Sequence, residues 1–163
     1  MVNRDFRDLF AALNEAGANY LLVGAHAVGF YAEPRFTKDL DVWIDATVAN
    51  APRVMAALRT FGAPLTDVVE ADFATPSAVL QIGIAPNRID LTTKIDGVVF
   101  ADAWPNRLQT TFGDQAIWVI GRDDLIENKR AAGLGAPEKI AAMFAGFQKH
   151  LYSRPVGGTQ PTV

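Results

Sequence analysis

Leu22-Val23-Gly24-Ala25-His26-Ala27-Val28, followed after a short gap by Arg35-Phe36-Thr37-Lys38-Asp39-Leu40-Asp41-Val42, is the stretch whose reading decides the fold. The apolar run Tyr20-Leu21-Leu22-Val23 ends at Gly24 and predicts a short buried strand. Ala25 to Ala32 predicts a short helix that must close before Pro34, because the residue ahead of a proline is pushed out of helical geometry. Leu40 to Asp45 then alternates, with Val42 and Ile44 on one face and Asp41, Trp43 and Asp45 on the other. A strand, a glycine turn, a helix and a second strand thus follow one another. Chemistry-bearing residues cluster at the strand ends.

Working outward, Asn3 stands ready to cap a first helix in which Phe6, Leu9, Phe10 and Leu13 recur at helical spacing, with Gly17 as its stop. Asn50 and Pro52 open a helix carrying Val54, Met55, Leu58 and Phe61, ended by Gly62. Val79 to Ile84 and Arg88 to Thr93 predict a hairpin across Ala85-Pro86-Asn87. Arg107 to Phe112 and Gln115 to Ile120 predict a second across Gly113-Asp114. Asp96-Gly97 reads as a turn, and Ala101 to Trp104 as a helical turn. Asp123 is placed to cap a helix through Ala132, and Pro137 opens a last helix with the stripe Ile140, Met143, Phe144, Phe147 and Leu151. That stripe reads as core or as the seam of a homodimer. Hairpins mixed with helices point to an α+β fold, a mixed β-sheet with helices packed on it. Residues 1–152 read as a single domain and 153–163 as a disordered tail.

Composition sets the outer limits. With 163 residues, half of them hydrophobic and a fifth charged, the chain can build one sizeable core. No apolar run reaches the roughly 18 residues of a membrane span, and the N-terminus lacks the pattern of a signal peptide. A cytoplasmic address is expected. The absence of cysteine excludes disulfide, thiolate-metal and cysteine-nucleophile chemistry, and two histidines are too few for a zinc hydrolase. A net charge of −3 argues against a protein that coats nucleic acid through a broad basic surface. Neither a Gly-x-x-x-x-Gly-Lys-Ser/Thr loop nor a Gly-x-Gly-x-x-Gly motif occurs.

Asp39 and Asp41 lie two apart at the start of a strand, so both carboxylates leave one face. At about 4 Å two such charges repel by about 4 kcal/mol at an effective dielectric of 20. A magnesium ion removes that cost, since it takes carboxylate oxygens at about 2.1 Å and leaves room for phosphate. Two solvated aspartates at a strand edge are the simpler alternative. Asp90, between Ile89 and Leu91, is a third acid on a strand. It either shares a cation with the first two or faces water at an edge. Gly24 opens a helix whose N–H groups can cradle a phosphate, or it merely makes a tight turn.

Taken together, Gly24, Asp39-Leu40-Asp41 and Arg88-Ile89-Asp90-Leu91-Thr92 resemble the nucleotidyltransferase superfamily with the polymerase-beta-like fold. Leu22 to Val28, Arg35 to Val42 and Val119-Ile120-Gly121-Arg122-Asp123-Asp124-Leu125-Ile126-Glu127-Asn128-Lys129-Arg130-Ala131-Ala132 look like the small bacterial stand-alone members related to AbiE-type toxins. The resemblance implies transfer of a nucleoside monophosphate from a nucleoside triphosphate to a hydroxyl acceptor on RNA or protein, with two magnesium ions. It casts Asp39, Asp41 and Asp90 as metal-holding catalytic residues. Gly24 and Ala25 then form the phosphate turn, and Lys129 contacts phosphate with Arg35 and Lys38 as helpers. Arg35, Lys38 and Arg88 would form a basic rim for an RNA acceptor. An antitoxin-like partner is implied as well.

Two departures accompany the match. Ala25 stands where the family has glycine or serine, which removes a hydroxyl from the phosphate turn. After Ala132 the chain reads Gly133-Leu134-Gly135-Ala136-Pro137-Glu138-Lys139-Ile140 in place of a Lys-Asp-x-x-Asp helix. They keep open a catalytically degenerate relative that binds a nucleotide or a partner. An interaction module docking through its C-terminal helix also stays open. Of the other residues near the motif, His26 reads as a hydrogen-bonded helix histidine and Trp43 as a packing residue.

Overall fold

The computed structural model describes residues 2–32, 39–76, 79–84 and 87–133. Helix α1 (Arg4–Glu15) begins where the Asn3 side chain accepts the Phe6 N–H at 3.1 Å, the cap that the sequence predicts. Gly17, at φ 67°, turns the chain into strand β1 (Tyr20–Val23). Helix α2 (Gly24–Tyr31) starts directly at the glycine. Strand β2 (Leu40–Ile44) returns antiparallel to β1, with Tyr20 opposite Ile44 and Val23 opposite Asp41. Helix α3 (Ala51–Phe61) ends at Gly62.

Two antiparallel hairpins complete the sheet, β3 (Val79–Ile82) with β4 (Ile89–Thr92), and β5 (Leu108–Phe112) with β6 (Gln115–Val119). Each joins the central pair through a parallel contact, β4 on β2 and β6 on β1. The order is β3-β4-β2-β1-β6-β5. Helix α4 (Phe100–Ala103) runs into a 3-10 turn over Trp104–Asn106, and helix α5 (Arg122–Ala131) follows the second hairpin. The molecule is α+β, with a six-stranded mixed sheet and five helices among the described residues. A 3-10 turn at Glu70–Phe73, which buries Phe73, has no counterpart in the apolar pattern.

Register assigns the two faces. Tyr20, Leu22, Val42, Ile44 and Val119 share the face that meets α1, where Phe10 packs 5.6 Å from the Tyr20 ring, and α1 in turn packs on α3. Leu21, Val23, Asp41, Trp43 and Trp118 point the other way. There Trp43, 1% exposed, meets Phe100 of α4 edge-on at 5.0 Å, so it is a packing residue as expected. Arg107 is buried on the same side, its guanidinium 3.9 Å from the Trp104 ring and 4.6 Å from Trp118, donating to the Trp104 carbonyl at 2.8 Å. Cation–π contact and that hydrogen bond stand in for the water it loses.

One expected helix start is met and one is corrected. Asn50 stands at the N-cap of α3 as expected, while its fully buried side chain accepts the Asn19 N–H at 2.8 Å and donates to the Asn19 and Asp45 carbonyls at 3.0 and 2.9 Å. It pins the entrance of β1 to the exit of β2. The N-cap of α5 is Gly121, not Asp123, which sits in the first turn beside Arg122. There its charge still suits the positive end of the helix. The helix expected from Pro137 and the tail at 153–163 lie outside the described residues. No helix among the described residues is long and apolar enough to cross a membrane.

Asn50→Ala leaves the Asn19 N–H and the Asp45 carbonyl without this partner. At about 1–3 kcal/mol for each unsatisfied group, urea unfolding should show about 2–6 kcal/mol lost with an unchanged m-value. A loss under about 1 kcal/mol would show that water replaces the amide.

Candidate functional site

The parallel contact between β2 and β4 builds the site. Its register sets Leu40 opposite Ile89 and Asp41 opposite Asp90, and the Leu40 N–H donates to the Arg88 carbonyl at 3.0 Å. Because side chains alternate along a strand, Asp39 and Asp41 leave the same face as Arg88 and Asp90. The three acids expected from the sequence are therefore brought together. What the sequence reading misses is the residue between them. Arg88, expected at a basic rim, sends Nη2 to Asp39 Oδ2 at 3.0 Å and to Asp90 Oδ2 at 3.1 Å. Its position two residues before Asp90 on an alternating strand is the signal that could have placed it inside the cluster.

Asp41 sits in a strongly perturbed environment. Burial first, and then the neighbouring Asp90 charge, raises its pKa to about 6, against the pull of Lys129 and Arg88. Lys129, in the last turn of α5, is half-buried rather than solvated. Burial lowers its pKa while the Asp41 charge opposes that fall, so the ammonium lies within electrostatic reach of that carboxylate. Among the described residues two cations thus stand against three carboxylates.

Helix α5 is held for this contact by its neighbours. The Asn128 side chain donates to the Asp96 carbonyl at 3.0 Å, and the Asn106 side chain donates to Asp124 at 3.2 Å. Gly97, at φ 77°, lets the turn after β4 approach α5; a Cβ there would lie 2.5 Å from the Ala131 Cβ.

Gly24 closes the site from β1. At φ 70° it occupies the left-handed region, and a Cβ on it would fall 2.9 Å from the Cβ and Cγ of Asp41 and closer still to Oδ2. The Asp41 carboxylate fills the space that only glycine leaves open. The opening N–H groups of α2, at Gly24 and Ala25, have no partner within the helix and carry its positive end beside the acids. His26 is not hydrogen-bonded as expected: its buried Nε2 lacks a partner, and its ring packs edge-on against Phe6 at 5.6 Å. Arg35 and Lys38 lie outside the described residues.

The donor set suits a hard divalent cation. It consists of carboxylate oxygens, and one of them, Asp90 Oδ1, is buried without a hydrogen-bond partner. The glycine cradle keeps side-chain carbon out of the same space. Among the described residues no three acids or histidines yet converge tightly enough to share an ion. Arg88 draws Asp39 and Asp90 onto itself. A surface cavity on α5, lined by Arg122, Asp123, Ile126, Glu127 and Arg130, includes none of these groups. The sequence matches no protein-family model and no curated protein.

Gly24→Ala should cost about 1–2 kcal/mol for the left-handed backbone, plus the overlap with Asp41. In a double-mutant cycle with Asp41→Ala, denaturant unfolding should give a favourable coupling above about 1 kcal/mol. Strict additivity would show that the two residues do not share this space. His26 supplies a pH test. Burial lowers its folded pKa, so the unfolded chain binds its proton more readily. Stability should fall relative to His26→Phe as pH drops below the unfolded value of about 6.5, and the gap should hold constant above it. Melting curves of the two proteins that stay parallel from pH 7.5 to 5 would remove His26 as the cause.

Proposed function

We propose that this chain is a magnesium-dependent nucleotidyltransferase with the polymerase-beta-like fold. It would move a nucleoside monophosphate from a nucleoside triphosphate to a hydroxyl on RNA or protein. One observation carries the proposal: the parallel register sets Asp41 beside Asp90, within reach of the Lys129 charge, with the Gly24 turn against the same carboxylate. A solvated strand edge does not account for a raised Asp41, a half-buried Lys129 and a glycine cradle in one place. The sequence resemblance, with its AbiE-related toxin members, points the same way. A cytoplasmic address and an antitoxin-like partner belong to this reading.

Asp39, Asp41 and Asp90 would hold two magnesium ions, which would supply positive charge for the attacking and leaving oxygens of an in-line displacement. The backbone N–H groups of Gly24 and Ala25 donate to phosphate oxygens at the start of α2, with no need of a side-chain hydroxyl. Lys129 offers its ammonium to the triphosphate from the α5 side, where burial keeps competing water away. Asp90 Oδ1, the oxygen without a partner, receives the proton of the acceptor hydroxyl. The acceptor oxygen then bonds to the α-phosphorus as the bond to the β-phosphate bridge breaks, and pyrophosphate leaves.

A second reading has its own support. The Arg88 bridge neutralises two of the acids as they stand, which suits a catalytically degenerate relative that binds a nucleotide or a partner. Label transfer from α-labelled nucleoside triphosphates to host RNA and protein separates the two. Transfer should need magnesium, stop with chelator, and fall at least about 100-fold in Asp41→Asn and Asp90→Asn, the scale on which a pre-organised charge acts. Metal-dependent nucleotide binding without transfer favours the degenerate relative. Full transfer by both variants overturns the assignment of the acids.

A further inference from the structure

Arg88 occupies the carboxylate oxygens that a cation would need. One nitrogen, Nη2, serves both Asp39 Oδ2 and Asp90 Oδ2, at 3.0 and 3.1 Å. That is not the parallel fork by which arginine grips a carboxylate most firmly. Nε of the same guanidinium is buried without a hydrogen-bond partner, as is the second oxygen of Asp90. The side chain is also 38% exposed, so its outward path is open. A bridge made through one nitrogen, with partnerless polar atoms on both sides, is poised for exchange.

We propose that Arg88 is an internal counter-ion that holds the acid cluster together without metal and is displaced from Asp39 and Asp90 when a divalent cation binds. This rests on the nucleotidyl-transfer reading of the site and adds a regulated entry step to it. Without a compensating charge, the three carboxylates would repel one another across the β2–β4 contact. Arg88 suppresses that repulsion, and in doing so it competes with the metal for the same two oxygens. The cation enters only as the guanidinium leaves. The displaced guanidinium then stands at the edge of the cleft, where the anionic substrate must pass. Its small side-chain movement would return to the cluster the Asp39 and Asp90 oxygens that it holds.

The test uses the full chain and Mn2+ alone, followed by calorimetry and by the loss of the free-ion electron paramagnetic signal. Removing the competitor in Arg88→Gln should tighten Mn2+ binding by about tenfold or more, equivalent to about 1.4 kcal/mol. The metal-free melting temperature should fall, and added Mn2+ should restore it. Wild-type binding that requires Asp41, with a smaller gain or a loss in Arg88→Gln, overturns the counter-ion role and leaves the nucleotidyltransferase reading standing. Binding by Arg88→Gln alone supports it in its strongest form. If neither protein binds Mn2+, both the displacement and the metal-dependent function fall. Should Arg88→Gln not fold, the arginine Nε–H resonances of the intact wild type can be followed during Mg2+ titration. The Arg88 signal should shift with the binding isotherm, and saturation that leaves it unmoved overturns the proposal.

Discussion

Asp41 and Asp90 are side-by-side partners on neighbouring parallel strands, and most of the unusual features of the molecule answer to that adjacency. At the strand spacing of about 4.8 Å, two carboxylates repel by about 3.5 kcal/mol at an effective dielectric of 20. Burial raises the proton affinity of Asp41 further. The surrounding residues reduce this strain from three directions. Arg88 reaches across from its own strand, Lys129 comes down from α5, and Gly24 withdraws every side-chain atom from the volume that Asp41 enters. Each comes from a different element, so the site exists only when β1, β2, β4 and α5 are assembled.

That dependence explains the investment in anchoring α5. The helix is polar for most of its length and buries Leu125 against the core, so apolar burial alone orients it weakly. Its direction is set instead by polar contacts and by close approach. Asn106 holds the first turn and Asn128 the last, while Gly97 and Gly121 remove the atoms that would hold the backbones apart. The Trp104–Arg107–Trp118 stack stiffens the segment leading into the second hairpin, on the sheet face where α5 also lies. Lys129 is thereby placed where its charge acts on Asp41, by residues that never touch the acids.

Much of this organisation was legible in the sequence. Apolar period and glycine stops marked α1 and α3, alternation marked β2, and turn residues between strand-like runs marked both hairpins, because local patterns carry that information. The face shared by Asp39 and Asp41 followed from their spacing. Residues whose partners are distant in the chain did not announce themselves. Asn50 was legible as the opening of α3, but not as the residue whose amide serves backbone groups at Asn19 and Asp45. Arg88 looked like a surface cation until the β2–β4 register set it beside Asp39. Lys129, among polar neighbours, gave no sign of which side of α5 would be covered. The parallel joining of hairpins to the central pair was equally hidden, since alternation fixes the faces of a strand but not its neighbour.

The register itself must be enforced by something stronger than the repulsion it creates. Leu40 and Val42 on β2, with Ile89 and Leu91 on β4, are each no more than 1% exposed and alternate with the charged residues. Burying each contributes about 1.5–3 kcal/mol, so the four together outweigh the carboxylate repulsion at least about 1.5-fold. A slip of β4 by one residue would turn Ile89 and Leu91 toward the cleft and drive Asp90 and Arg88 into the apolar layer under α1 and α3. The core penalty for that slip exceeds any electrostatic relief. Apolar packing on one face of the sheet therefore compels the acids together on the other, and the charge chemistry of the cleft is a consequence of how the core is filled.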